Sequence, residues 1–191
     1  MIMRIKHIVF FNLIFMSSVM LGQTVTVVPD DEFPKKVVET KLSEIVATDS
    51  LPTSELVQRA VNWVKVENLK YIKTSGASSG SKAECVASFP VKPKELNPQT
   101  DYTGKILMKV VIECKDSKYK YTVSQIKYIS KSGKVTGGSI DNVVPECGSM
   151  ELGDITWKKL KGEAIKGANM VVTDLKAAMT KPSTETATDE W

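Results

Sequence analysis

Residues 105–129 read KILMKVVIECKDSKYKYTVSQIKYI, two runs rich in β-branched and aromatic residues around the polar pair Asp116-Ser117. That is the pattern of an antiparallel hairpin. If Lys115 and Lys118 close the turn, Cys114 faces Tyr119, Glu113 faces Lys120, Ile112 faces Tyr121, Val111 faces Thr122 and Val110 faces Val123. Strand side chains alternate faces, so this register collects Met108, Val110, Ile112, Cys114, Tyr119, Tyr121 and Val123 on one side. Lys109, Glu113, Lys120 and Ser124 fall on the other, with Leu107 and Val111 among them. Asp-Ser is a weaker turn pair than Asp-Gly, because a type I′ turn wants positive φ at both central residues; a longer loop is the alternative. Beyond Ser124 the alternation shifts, which predicts a β-bulge or a strand that outruns its partner.

The flanking pattern predicts the remaining elements. Residues 33–40 alternate around Val37-Val38 and read as a first strand, ended by the polar stretch at Thr48-Asp49-Ser50 and Pro52. Thr53 or Ser54 is the expected cap of a helix reaching about Asn68, with Leu56, Ala60, Trp63, Val64 and Val57, Val61 in adjoining apolar rows. Residues 69–73 look like a short strand and 74–81 like a Ser-Gly turn. Residues 82–89 alternate, with Ala83, Cys85, Ala87 and Phe89 on one side, before a loop enforced by Pro90, Pro93 and Pro98. Residues 130–150, rich in Gly, Ser and Pro, read as an extended loop. Asp154 then offers an N-cap, and Trp157, Leu160, Ala164, Ala168, Val171, Leu175 and Met179 form the stripe of a second helix. Gly162 and Gly167 weaken that helix and are expected to mark a bend or a close approach to the sheet. The order is strand, helix, four strands, helix.

The N-terminus changes how composition is read. Arg4 and Lys6 precede an apolar run over residues 8–21, the charged and hydrophobic regions of a signal peptide. The run is short of the roughly 20 residues a comfortable bilayer span needs, so export with cleavage near Gly22-Gln23 is expected and no transmembrane span after processing. The chain carries 26 Lys+Arg against 22 Asp+Glu; losing residues 1–22 removes Arg4 and Lys6 and halves the net charge from +4 to +2. That small excess argues against a nucleic-acid partner.

The one histidine, His7, lies inside this segment. The mature chain therefore has no Ser-His-Asp or Cys-His pair and no histidine metal site. Cys85, Cys114 and Cys147 lack Cys-x-x-Cys spacing. Cys85 and Cys114 both point inward from strands, either bonded or as two buried apolar thiols, the second being favoured. Gly76 and Gly80 form no phosphate loop, since no Gly-Lys-Ser/Thr ending follows. No metal, cofactor or catalytic residue is expected. Cys147 is the leading nucleophile candidate, without a histidine to lower its pKa; Asp30-Asp31, Glu146 with Glu151, and Asp101 beside Tyr102 are carboxylates in polar loops. Trp63, Tyr119 and Tyr121 are expected in the core.

What remains is the outer face of the hairpin. Over residues 105–134 eight lysines stand against Glu113 and Asp116. Such a face solubilises and discourages strand-to-strand aggregation. Its functional reading is a docking surface for an anionic partner, with Lys105, Leu107, Lys109, Val111 and Lys120 as the candidate binding residues. The tyrosines fall on the opposite side, which argues against base stacking.

The helix segment ELVQRAVNWV at residues 55–64 and the hairpin tip ECKDSKYKY at residues 113–121 resemble a bacterial domain-of-unknown-function family with a fold like the TATA-box-binding protein (TBP). Members carry a tryptophan late in the first helix and a Lys-Asp-Gly-basic-Tyr-basic-Tyr tip; Ser117 stands here where glycine is usual. The resemblance covers roughly residues 33–130. It implies an α+β fold, an antiparallel sheet with both helices on one face, and export; it brings no activity, cofactor or catalytic residue. The expected organisation is a signal peptide over residues 1–22, a leader over 23–32, one TBP-like domain over 33–180 and a disordered tail over 181–191. The expected function is a non-enzymatic binding module of the cell envelope, periplasmic or secreted, whose partner is a protein or an anionic envelope component. The alternatives are an envelope hydrolase using carboxylates or Cys147, and a homo-oligomeric structural protein. The sequence leaves the oligomeric state open.

Overall fold

Alternation in the two longest strands sets the architecture. A computed structural model describes residues 39–76, 78–93, 101–133 and 135–181. The elements are β1 (Leu42–Ala47), α1 (Thr53–Lys65), β2 (Ile72–Ser75), β3 (Lys82–Val91), β4 (Gly104–Lys115), β5 (Lys118–Ser130), β6 (Thr136–Ser139) and α2 (Asp154–Thr180). All strand pairs are antiparallel. The sheet runs β1-β5-β4-β3-β2, and β6 pairs the second half of the β5 edge whose first half holds β1. This is the expected α+β architecture with one strand added.

Every cross-strand pair expected in the hairpin is present, from Cys114 opposite Tyr119 to Val110 opposite Val123. Its inward set is buried: Met108, Val110, Ile112, Cys114, Tyr119, Tyr121 and Val123 are at most 5% exposed. The inner residues of β3, Ala83, Cys85, Ala87 and Phe89, join the same core. So do Leu56, Ala60, Trp63 and Val64 of α1 and the whole expected stripe of α2. Both helices therefore lie on one face of the sheet, and among the described residues the other face is open. The bulge is also present. Met108 stands opposite Gln125 and Ile126 between the Leu107–Lys127 and Lys109–Ser124 pairs. Gln125 has φ 52° and donates its N–H to the Glu39 carboxylate at 3.1 Å.

Three local expectations are corrected, and a fourth, the strand over residues 33–40, lies mostly outside the described residues, among which the first strand is Leu42–Ala47. Its alternation is disguised because Glu44 points to the helix side and Ile45, 65% exposed, to the open side. The second strand runs Ile72–Ser75 rather than over residues 69–73. The loop after β5 contains β6, hidden by its composition: a Cβ on Gly137 would lie 2.3 Å from the Trp157 ring, so only a bare backbone lets the indole pack there. Neither helix is capped by its own expected side chain. The N-cap positions are Pro52 and Gly153, and Asp154 instead accepts a hydrogen bond from Ser149 at 2.8 Å.

The cap of α1 comes from the hairpin tip. Asp116 accepts from the Thr53 N–H at 3.0 Å and from the Thr53 hydroxyl at 2.6 Å, satisfying a donor that a helix start leaves free. Ser117 N–H donates to Leu51 and its carbonyl accepts from Thr48, at 2.9 and 2.8 Å. The turn keeps two residues, with Ser117 at φ 60° and Asp116 outside the positive-φ set, which excludes type I′.

The opposite ends of the helices are closed by two cations, the buried Arg59 and the half-buried Lys73. Arg59 bonds Glu55 at 2.8 Å and the carbonyl of Met179, in the last turn of α2, at 2.8 Å. Lys73 of β2 donates to the carbonyl of Trp63, in the last turn of α1, with its ammonium 4.4 Å from the Trp63 ring centre. Asp174 of α2 accepts from the Trp63 indole at 2.9 Å and from the Tyr71 hydroxyl, tying α2 to α1 and to the residue before β2. Residues 1–22 and 23–32, expected as a signal peptide and a leader, lie outside the described residues, as do the residues beyond 181.

Candidate functional site

The side of the sheet turned away from the helices carries the five candidate residues. Lys105, Leu107, Lys109 and Val111 follow one another at alternate positions of β4, and Lys120 sits on β5 opposite Glu113. Lys105 and Lys120 are exposed, and Leu107, Lys109 and Val111 are half-buried. The arrangement therefore gathers all five on one surface, with the two aliphatic residues central and Val86 of β3 beside Lys109.

Its electrostatics differ from a count made on the hairpin alone. The neighbouring β3 adds Lys82 and Glu84, since Glu84 stands opposite Val111. Glu84 is bonded by Lys82 and by Lys109, the latter at 3.0 Å. Hydrogen bonds from Lys82 and then Lys109 hold its carboxyl below the usual carboxylate range. Lys109 is thus partly neutralised. Asp116, which the hairpin count set against the lysines, turns to Thr53 on the helix side. Glu113 and Lys120 face each other in register, yet among the described residues no ion pair closes between them. By strand alternation the open face holds Lys82, Lys105, Lys109, Lys115, Lys118, Lys120 and Lys127 against Glu84 and Glu113.

The densest part lies at the hairpin tip. There a depression of about 650 Å³ is lined by Ile45, Lys82, Glu113, Lys115, Lys118 and Lys120, with Ser79 and Ser81 on its rim. Reading the hairpin alone misses Ile45, Lys82 and Glu84 as parts of this surface. The Lys-Ala-Glu alternation that opens β3 is the signal that finds the last two once β3 is aligned with β4.

The other candidate chemistries are dispersed. Cys147 is half-buried; burial, opposed by backbone hydrogen bonds, pushes its thiol up, away from the reactive thiolate state. Cys85 and Cys114 are free and buried, each thiol pushed up to about 11 by burial. Cys85 is opposite Val110 and Cys114 opposite Ser81, an offset of four residues or about 13 Å along the strands, beyond the reach of a disulfide. Asp101 accepts from the Thr103 N–H at 2.9 Å as a local turn contact. Glu146 and Glu151 lie in the loop before α2, and Asp30-Asp31 falls outside the described residues. Trp63, Tyr119 and Tyr121 are core aromatics, at most 5% exposed. Among the described residues no group of three or more His, Cys, Asp or Glu is placed to hold a metal ion. No helix among them is long and apolar enough to cross a membrane.

No protein-family model and no curated protein matches the chain by sequence. Solved structures do match its fold. A DUF4468 family protein from Bacteroides ovatus ATCC 8483 superposes with a TM-score of 0.53 at 8% identity, over 77% of this chain and 90% of that one. A TBP-like protein from Parabacteroides distasonis ATCC 8503 superposes with a TM-score of 0.53 at 17% identity, over 75% of this chain and 94% of that one. At these identities the likeness shows the fold: it is the TBP-like α+β fold implied by the tryptophan-bearing helix and the hairpin tip. One of the two neighbours is itself a domain-of-unknown-function family protein.

Proposed function

We propose that the chain is an exported, non-enzymatic interaction domain of the cell envelope that captures an acidic protein through the open face of its sheet. The observation that carries this reading is the composition of that face. Leu107, Val111 and Val86 form an aliphatic centre within a field of seven lysines and two glutamates, an apolar core with a predominantly basic rim. The rest of the fold supports a display role. Among the described residues both helices and nearly all aromatic side chains are spent on the other face, which leaves this face to polar and aliphatic side chains. A binding role without chemistry is supported by the lack of histidine beyond His7 and by the raised Cys147 thiol. The fold carries no functional weight by itself.

The test is site-specific photo-crosslinking in the producing cell, with a photoreactive residue at Val111 or, on the helix layer, at Glu163. The reading expects an adduct to one acidic envelope protein from position 111 and none from 163. Equal labelling from both positions, or adducts confined to cytoplasmic proteins, would overturn it.

A further inference from the structure

The charges of the open face are unevenly spent, and this points to where a partner is held. Glu84 consumes much of Lys82 and Lys109. Lys115, Lys118 and Lys120 form no ion pair among the described residues, and all three line the depression at the hairpin tip. Across that depression one row runs Lys82, Glu113, Lys120, Ile45 over β3, β4, β5 and β1, and the next places Lys115 beside Lys118. Glu113 therefore sits between cations. The tip is also braced, because Asp116 and Ser117 are bonded to Thr53, Leu51 and Thr48. These lysines project from a backbone that need not reorganise on binding.

We infer that the hairpin-tip depression is the anchoring subsite of the open face, and that it takes an extended acidic peptide segment with carboxylates at alternate residues. This deepens the proposed function and rests on it. Two features favour a strand-like acidic peptide over a compact phosphate. Lys118 and Lys120 are alternate residues of one strand, about 6.8 Å apart, which is the repeat of same-side carboxylates in an extended chain. Glu113 at the centre repels a dianion seated among the lysines and leaves separated carboxylates free to pass on either side. Ile45, 65% exposed at the end of the row, offers an aliphatic contact for a neighbouring side chain of the segment.

The test uses the full purified chain and a synthetic peptide with glutamate at alternate positions and a terminal valine, its affinity measured by calorimetry at low and physiological salt. Inorganic phosphate and vesicles containing phosphatidylglycerol are measured in parallel. The variants are Lys118→Glu/Lys120→Glu at the tip, Lys105→Glu/Lys127→Glu at the far end, and Lys166→Glu on α2. The inference expects the tip pair to weaken the peptide about tenfold or more, the far-end pair to weaken it less than about threefold, and Lys166→Glu to leave it unchanged. Equal losses at tip and far end would overturn the subsite and leave the open-face reading standing. Losses no larger than that of Lys166→Glu would overturn both. Tighter binding of phosphate or vesicles than of the peptide, lost with the tip pair, would overturn the ligand class.

Discussion

Gly162 and Gly167 lie five positions apart in α2, and the structure assigns opposite signs to their replacement by alanine. In a helix interior either change gains about 1 kcal/mol of propensity. Gly162 is exposed and a Cβ there meets nothing within 4 Å, so that gain is kept. A Cβ at Gly167 would lie 1.9 Å from Cζ and 2.2 Å from Cε1 of Phe89, which is 7% exposed on the inner side of β3. The ring is buried in the core, so displacing it carries an overpacking cost of about 1–3 kcal/mol. Propensity cancels between the two variants, so Gly167→Ala should be about 1–3 kcal/mol less stable than Gly162→Ala. For a domain of this size each kcal/mol is worth about 2–4 °C in Tm. Urea denaturation followed by far-UV circular dichroism measures the difference, and Phe89→Leu should recover part of the loss in Gly167→Ala while destabilising the parent. Equal stability of the two single variants would refute the close packing of α2 on β3.

Other expectations follow from the polar contacts behind the sheet. Burial alone would raise the Asp174 carboxyl, but hydrogen bonds from Tyr71 and Trp63 and the Lys73 charge outweigh it and lower its pKa. A lowered carboxylate pKa contributes stability that is present above the ordinary aspartate value of about 3.9 and is lost as pH falls through the folded value. Asp174→Asn should therefore lower stability at neutral pH and flatten its acid limb in pH-dependent denaturation; an unchanged acid limb would contradict this. Arg59→Met keeps the apolar stem but frees the Met179 carbonyl, and should cost about 1–3 kcal/mol in urea titration; no loss would remove Arg59 as the closing residue of α2. Ser117 occupies a left-handed conformation with φ 60°, so Ser117→Gly should stabilise the chain by about 1 kcal/mol, read as a higher Tm with the hairpin amide shifts retained.

Legibility from sequence followed the regularity of each segment. The β4–β5 register was readable because alternation over a dozen residues leaves one face for the core, and a one-residue slip would invert Tyr119 and Tyr121 with Lys120. Even the bulge was visible as a phase shift after Ser124. β1 was not, because Glu44 faces the helices, where Tyr121 donates to it at 2.7 Å and Lys176 bonds it at 2.6 Å, while Ile45 faces outward. β6 was hidden because a glycine pair carries no periodicity. The caps were missed for a different reason: Asp116 on Thr53 joins residues 63 positions apart, and no local pattern records a long-range hydrogen bond. The five surface residues were placed correctly on one face, but their charge balance was not, because Glu84 belongs to another strand. Local periodicity finds faces; the pairing of strands decides which charges on them are free.

The docking claim rests on which face meets a partner, and methyl resonances report faces directly. In a chain with isotope-labelled Ile, Leu and Val methyls, titration with the alternating-glutamate peptide should shift Ile45, Leu107 and Val111 of the open face. Leu160, Val171 and Leu175, wholly buried on the inner side of α2, should stay fixed. Shifts confined to the methyls on the inner side of α2, or no shift on the open face at saturating peptide, would contradict the account.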